Sequence, residues 1–168
     1  MKKSSRLGFK VLLGIKIFIL CILFSTQGKA QNVKSVQQYQ QSMSKSDFAR
    51  LQSLMNNLQT TVYLENGNKK TFGEGIPVYL KTDAKSLNLL KEKNSSLNNI
   101  EILEIKLTQK GEESQVSFNE SLVVNLAGLK HILVRTEYQL TQSEFERIFS
   151  NFKSSKINLI YEVGLVLL

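Results

Sequence analysis

Residues 100–107 read IEILEIKL, and this stretch decides the fold more clearly than any other part of the sequence. Its apolar residues are aliphatic and largely alternate with charged ones, which is typical of a β-strand that buries one face. The stretch is therefore predicted to be a strand. Further strands, rich in β-branched, aromatic or aliphatic residues, are predicted at residues 61–64, 78–80, 131–138 and 158–167.

Helical patterns separate most of these strands. Apolar residues at helical spacing predict a helix over residues 46–59, and a capping box at residues 141–144 predicts the start of another. Shorter helices are predicted at residues 81–93 and 119–127, and the polar residues 109–118 are predicted to form a loop. Because the connections between strands are too long for hairpins, the order predicts parallel strands with crossover helices. Residues 46–168 are thus predicted to form one α/β domain with a mainly parallel sheet.

The first 30 residues have the parts of a secretory signal peptide. Basic residues precede an apolar run at residues 11–24, and the small residues Gly28 and Ala30 follow at the spacing that signal peptidase reads. The run is shorter than the about 20 apolar residues that span a bilayer, and Lys16 interrupts it. We therefore expect cleavage after Ala30, a periplasmic or secreted location, and contact with membrane only through this transient leader.

Removal of the leader changes what the composition indicates. Six of the 22 basic residues and none of the 14 acidic residues lie in it, so the net charge falls from +8 to +2. A nearly neutral chain lacks the basic excess of nucleic-acid-binding proteins, and we expect no nucleic-acid partner. Cys21, the only cysteine, also lies in the leader, so the remaining chain has no disulfide, thiolate metal ligand or cysteine nucleophile.

The segment after the leader differs in composition from the domain. Residues 31–45 are rich in Gln and Ser and contain few apolar side chains. Segments of this kind bury too little apolar surface to offset the loss of chain entropy. Residues 31–45 are therefore predicted to be a linker.

Three of the predicted strands share a spacing of four apolar residues. The sets are Leu97, Ile100, Leu103, Ile105; Leu126, Leu129, Ile132, Val134; and Ile157, Ile160, Val163, Leu165. In these segments the chain resembles leucine-rich repeat proteins of the longer, helix-containing type, in which each repeat gives one strand and one helix. The resemblance implies a short solenoid of parallel strands. The Asn or Cys that normally follows the strand is replaced by Thr108, Glu137 and Leu168. A compact α/β domain with buried parallel strands is the alternative.

The repeat register brings polar side chains to one face of neighbouring strands. It predicts that His131 lies near Ile102 and Glu162, and that Arg135 lies near Lys106. This mixed face is the predicted binding surface. Its candidate binding residues are Glu104, Lys106, His131, Arg135 and Glu162.

No catalytic or cofactor motif accompanies this face. His131 is the only histidine and there is no G-x-S-x-G sequence, so a Ser-His-acid site would need a nucleophile from a distant segment. The sequence has no H-x-x-x-H pair, and Asp47 and Asp83 are its only aspartates. We therefore expect no metal site and no cofactor.

These observations favour a small exported non-enzymatic protein that binds a protein or ligand of the cell envelope or the exterior. The partner is not identified by the sequence. One alternative is a secreted or periplasmic hydrolase with a site around His131. Another is a structural subunit whose apolar end, residues 157–168, packs against a partner.

Overall fold

The structure is a computed structural model that describes residues 33–164. The predicted signal peptide, its cleavage after Ala30 and the last four residues lie outside the described residues. A seven-stranded sheet with the order β1-β7-β6-β5-β4-β2-β3 forms the centre of the described chain. Its strands are β1 (Lys34–Ser35), β2 (Thr61–Glu65), β3 (Asn68–Phe72), β4 (Tyr79–Asp83), β5 (Ile102–Leu107), β6 (His131–Thr136) and β7 (Asn158–Val163).

Parallel pairing dominates this sheet. All neighbouring strands are parallel except β2 and β3, which form an antiparallel hairpin. The prediction of an α/β domain with a mainly parallel sheet is therefore confirmed. Within the described residues, three α-helices accompany the sheet: α1 (Val36–Ser42), α2 (Lys45–Asn56) and α3 (Gln142–Ile148). None of the helices in this part of the chain is long and apolar enough to cross a membrane.

The connections that follow β4, β5 and β6 pack on the same face of the sheet. We call it the crossover face, and it presents Leu80, Leu103, Ile132 and Leu159 to the main hydrophobic core. Each connection adds large apolar side chains to this core, such as Leu90, Phe118 and Phe145. Burial of these side chains is the main stabilising contribution on this side of the sheet.

Most of the predicted crossover helices are replaced by 3-10 turns. Leu87–Lys91 and Glu120–Leu122 lie where helices were predicted at residues 81–93 and 119–127. Two further turns, Ser95–Leu97 and Glu112–Ser114, lie outside the predicted helices. The helix predicted at residues 81–93 is wrong because residues 81–83 continue β4. The Asp83 carboxylate then accepts hydrogen bonds from the backbone N–H groups of Ser86 (2.7 Å) and Asn66 (2.9 Å). Such side-chain bonds favour a turn over a helix.

The capping box ahead of α3 behaves as the sequence predicts. The Thr141 hydroxyl accepts a hydrogen bond from the Glu144 backbone, and the Glu144 carboxylate accepts one from the Thr141 backbone. Phe145, inside the helix, stacks on Tyr161 of β7 with ring centroids 4.2 Å apart. The helix is therefore fixed at its start by the cap and along its length by aromatic packing.

The segment predicted as a linker is ordered where the structure describes it, so that prediction is wrong for residues 33–45. β1 pairs with β7, and Ser35 and Gln38 form a capping box at the start of α1. Of the four apolar side chains in residues 33–45, Val33 and Tyr39 are buried, and Val36 and Met43 are partly buried. The polar composition predicts a linker, but some of the polar residues cap the helix and the others contact solvent. The buried apolar residues hold the segment against the sheet.

The second face of the sheet, which we call the polar face, is partly covered by α1 and α2. The helix predicted at residues 46–59 is confirmed as α2, which begins after the N-cap Ser44. Leu51 and Leu54 of α2 pack, together with Tyr39 of α1, on the apolar residues of the polar face. The covered residues are Tyr79, Ile102, Leu133 and Ile160.

The register of β5 and β6 agrees with the predicted spacing, but the register of β7 does not. Ile102 lies opposite His131, and Lys106 lies opposite Arg135, as predicted. Glu162, however, lies opposite Arg135 rather than beside His131, whose partner on β7 is Asn158. Apolar residues point to both faces of β7, so the sequence pattern fits more than one register.

The hairpin strand β3 was missed by the sequence pattern. The predicted Asn66–Gly67 turn is present, with φ of 52° and 72° at these residues. After it, residues 68–72 (NKKTF) pair with β2, and all five are exposed. An edge strand without a buried face lacks the alternation of apolar residues that predicts strands.

Neighbouring connections also contact each other directly. The Asn125 side-chain amide donates hydrogen bonds to the backbone oxygens of Leu90 (3.2 Å) and Lys91 (3.1 Å) in the preceding connection. Gly128 donates its N–H to Asn98 O at 2.8 Å, and a Cβ at this glycine would lie 2.8 Å from the same oxygen. A larger residue at position 128 would therefore force the two connections apart.

Candidate binding surface

A buried carboxylate organises the polar face. Glu104 of β5 is 2% exposed, and its Oε2 accepts hydrogen bonds from Tyr79 Oη (2.5 Å) and Arg135 Nη1 (2.9 Å). Lys81 Nζ lies 3.8 Å from the other oxygen of Glu104. A carboxylate in this position needs such partners, because an isolated buried charge is strongly unfavourable.

The hydroxyl of Tyr79 remains a hydrogen-bond donor under all ordinary conditions. Burial, reinforced by the charge and the hydrogen bond of Glu104, raises the pKa of Tyr79 well above its usual value. The residue sits on β4 directly beside Ile102 of β5, so its ring lies under α2 while its hydroxyl reaches Glu104. Tyr79 therefore links the apolar half of the polar face to the charged half.

Arg135 joins the two acidic residues of the surface. Its Nε donates to Glu162 Oε2 at 2.8 Å, while its Nη1 donates to Glu104. Burial opposes the charge of Arg135, but the two carboxylates outweigh it and raise the pKa of the guanidinium. Among the described residues, the second terminal nitrogen, Nη2, has no hydrogen-bond partner. A ligand oxygen could therefore accept hydrogen bonds from it.

The two remaining predicted residues lie apart from this network. Lys106 pairs with Glu137 (2.7 Å), and both side chains are about half exposed. His131 is 7% exposed, and its ring centroid lies 5.9 Å from that of Tyr39 on α1. Burial lowers the pKa of His131 to about 4, and its Nδ1 has no hydrogen-bond partner among residues 33–164. The structure thus brings Glu104, Arg135 and Glu162 together and leaves Lys106 and His131 outside.

Sequence reasoning missed several residues that complete the surface. Lys81 Nζ lies 5.3 Å from the ring centroid of Tyr79 and 6.0 Å from that of Tyr63. Lys81 was not recognised because residues 81–93 were predicted to form a helix. On β4, Lys81 lies opposite Glu104 of β5, just as Tyr79 lies opposite Ile102. Alternation along β4 was the signal that could have identified it.

Two cavities flank an aromatic pair at the hairpin end of the polar face. Tyr63 of β2 and Phe72 of β3 meet edge to face with ring centroids 5.3 Å apart. On one side, a cavity of about 460 Å³ lies between the end of α2 and the hairpin; its apolar lining includes Met55 and Leu58. On the other side, a cavity of about 450 Å³ is lined by polar residues that include Lys70. Both cavities are open depressions suited to side chains of a partner.

Two exposed apolar side chains line one of these cavities, and a third lies in the loop after β3. Leu58 is fully exposed, Phe72 is 58% exposed and Ile76, in the loop after β3, is 67% exposed. Leu58 and Phe72 line the same cavity. Contiguous exposed apolar residues rimmed by polar ones are typical of interaction sites on soluble proteins.

The charged groups of the polar face are paired with one another. Glu104 and Glu162 both accept hydrogen bonds from Arg135. Within residues 33–164, no group of three or more His, Cys, Asp or Glu side chains could hold a metal ion. Comparisons with protein-family models, curated proteins and solved structures gave no match. The function is therefore inferred from the geometry of this surface alone.

Proposed function

We propose that this chain is an exported, non-enzymatic protein that binds another protein through the polar face of its sheet. The observation that carries the proposal is the fixed network of Glu104, Arg135 and Glu162. Its side chains are held in one geometry before any ligand arrives, which lowers the entropy lost on binding. Exposed apolar residues at the hairpin end of the same face supply contact area.

The topology supports the same proposal. Strands β2, β4, β5, β6 and β7 follow chain order, and their connections from β4 onward lie on one face. A short solenoid of the leucine-rich repeat type has this arrangement and uses its free strand face for partners. We propose that the chain is such a solenoid in reduced form, with α1 and α2 covering one half of the strand face.

A hydrolase centred on His131 receives less support. The imidazole is buried beneath Tyr39 of α1 and does not contact the charged network. No hydrogen bond joins it to a serine, threonine or acidic residue of the described chain. A catalytic base needs such a partner within reach. The proposal therefore assigns His131 a packing role.

Site-specific cross-linking tests the proposed surface. A photo-cross-linking residue replaces Lys106, at the polar face, or Val124, which is exposed on a connection at the crossover face. Each protein is then incubated with envelope and medium fractions of the producing organism. We expect a discrete adduct from position 106 and none from position 124.

A surface variant makes this test specific. Glu162→Lys places a cation beside Arg135 and leaves the buried Glu104 with its partners. We expect this variant to remain folded by circular dichroism and to lose the adduct at position 106. Equal adducts from both positions, or an adduct that Glu162→Lys leaves unchanged, would contradict the proposed surface.

A further inference from the structure

The outer edge of the hairpin strand β3 has free backbone groups. β3 is the terminal strand of the sheet, and among the described residues only β2 pairs with it. The two-residue turn at Asn66–Gly67 makes Glu65 and Asn68 a hydrogen-bonded pair, and such pairs alternate along an antiparallel ladder. The N–H and C=O groups of Lys69 and Thr71 therefore point outward. Another extended chain can pair with them.

Two adjacent lysines give this edge a positive charge on both faces. Lys70 lies on the polar face opposite Tyr63, and Lys69 lies on the crossover face opposite Leu64. Lys69 Nζ donates a hydrogen bond to Ser96 Oγ at 3.2 Å, but neither lysine forms an ion pair with an acidic residue of the described chain. Their charges are therefore available to a partner.

The same lysines disfavour pairing of β3 with a second copy of itself. In an antiparallel pair centred on the middle of β3, each Lys70 would face the Lys70 of the other copy. Like charges directly opposite each other are destabilising, and lysines on an edge strand are a known protection against self-association. Charge complementarity favours an acidic partner instead.

An apolar side chain of the partner also has a place to bind. Phe72 ends β3 on the polar face and lines the cavity that Met55 and Leu58 enclose. A strand added beside β3 would direct one side chain toward Phe72 and another, two residues away, toward Lys70. On the polar face, the edge therefore favours a partner strand with one apolar and one acidic residue. On the crossover face, it favours a second acidic residue opposite Lys69.

We propose that β3 binds an extended acidic segment of the partner protein as an eighth strand of the sheet. The segment has two adjacent acidic residues and, two positions from one of them, an aliphatic or aromatic residue. Backbone hydrogen bonds to Lys69 and Thr71 hold the added strand in place. Contacts with the two lysines and Phe72 determine which sequences bind. This inference rests on the proposed protein-binding function and names the chemistry of its partner.

Synthetic peptides test the proposal directly. The probes are fluorescent peptides that contain Glu-Glu-Thr-Leu or its reverse between threonines, and the control peptides contain Lys-Lys-Thr-Leu. Binding to the purified protein is measured by anisotropy at low and high salt. We expect the acidic peptides to bind, the basic peptides not to bind, and the affinity to fall as salt screens the charges.

Three variants separate the parts of the interaction. Lys69→Glu with Lys70→Glu should weaken binding by about tenfold or more, because two attractive pairs become repulsive. Thr71→Pro removes an outward N–H and leaves the β2–β3 ladder intact, so it should weaken binding as well. The matched control is Lys153→Glu with Lys156→Glu, which makes the same change of charge on exposed residues between α3 and β7.

Several results would overturn this inference. One is equal binding of acidic and basic peptides, and another is full binding by the Thr71→Pro protein. Binding to phosphatidylglycerol vesicles with no binding of the acidic peptides would assign the patch to anionic membrane surfaces instead. If the adduct at position 106 persists while the acidic peptides fail to bind, only the partner class is wrong. If the adduct is also absent, the proposed function fails with it.

Discussion

Glu104 is the residue on which the candidate surface depends. It is one of the few buried polar side chains of the described chain, and it is satisfied by Tyr79 and Arg135. A buried charge of this kind adds little net stability, because the cost of removing it from water offsets the attraction. Its main effect is to fix the geometry of Arg135.

Loss of the Glu104 charge should destabilise the protein. Glu104→Gln keeps the shape but weakens two hydrogen bonds that involve charge, which we expect to lower the free energy of unfolding by about 2 kcal/mol. Glu162→Gln, at a partly exposed side chain, should lower it by less than about 1 kcal/mol. Urea denaturation measures both. Equal effects would show that burial does not set the importance of Glu104.

His131 should make the fold sensitive to acid. Its pKa falls from 6.5 to about 4 on burial, so the folded protein favours the neutral ring. This preference contributes stability above the unfolded pKa of about 6.5 that is lost as the pH falls toward 4, by about 3 kcal/mol in full.

The test compares the parent with His131→Leu. The free energy of unfolding is measured between pH 7 and pH 4, and both proteins carry the same carboxylates. The difference between the two proteins therefore isolates the histidine. Parallel curves would mean that His131 is not buried as the structure describes.

At the residue scale, the sequence was informative about residues on well-patterned strands. Alternation along β5 and β6 placed Glu104 and Arg135 on one face. Alternation did not predict which residues of that face contact each other. If β7 is shifted by an even number of residues, its side chains stay on the same face but gain different neighbours. Glu162 was therefore assigned to the right face but to the wrong neighbour.

At the element scale, α1 changes the interpretation of the Gln-rich segment. The helix buries Tyr39 on the polar face, where it meets Leu51 of α2 and Ile160 of β7. One aromatic anchor and a capping box are enough to order a helix of seven residues against the sheet. Average composition could not reveal this, because Tyr39 is the one buried residue of the helix, with Val36 partly buried beside it.

Substitution of Tyr39 should show whether residues 36–42 form a packed helix or a linker. We expect Tyr39→Ala to lower the free energy of unfolding by about 2–3 kcal/mol, because it leaves a cavity over the sheet. Gln40→Ala, at an exposed neighbouring position, serves as the control and should have almost no effect. If both substitutions are neutral in urea denaturation, α1 does not pack as described.

Other elements differ in how far the sequence could predict them. α2 and α3 were predicted because each has a cap followed by apolar residues at helical spacing. The connections after β4 and β5 were predicted to be helical, but Asp83, Asn94 and Asn119 bond backbone groups nearby and favour short turns. The spacing of apolar residues does not show that a side chain will compete with the helix for backbone hydrogen bonds.

At the scale of the whole molecule, β7 lies inside the sheet rather than at its end. It pairs with β6 on one side and with β1 on the other, and Leu159 and Ile160 are buried on opposite faces. The described strand of the apolar end therefore takes part in the core. A chain without β7 would lose buried residues from both faces of the sheet.

Truncation distinguishes this role in the core from a role in joining subunits. A chain that ends before Asn158 loses β7 and the pairing of β1, so we expect loss of cooperative unfolding and of the native circular dichroism spectrum. A subunit whose end mediates only assembly would remain folded and elute as a smaller species. Far-ultraviolet circular dichroism and a sizing column report the two outcomes.

The pairing of β1 with β7 also fixes the order in which the chain can complete its fold. Residues 34–42 are synthesised before the rest of the sheet, yet Lys34 and Ser35 pair with β7, the last strand along the described chain. Tyr39 likewise packs in a cluster with Leu133 and Ile160, which are made later. The first described segment to be made is thus left without its strand partner until β7 has been made. A nascent chain of this design therefore holds its first strand and its first helix unpacked while every other strand of the sheet is made.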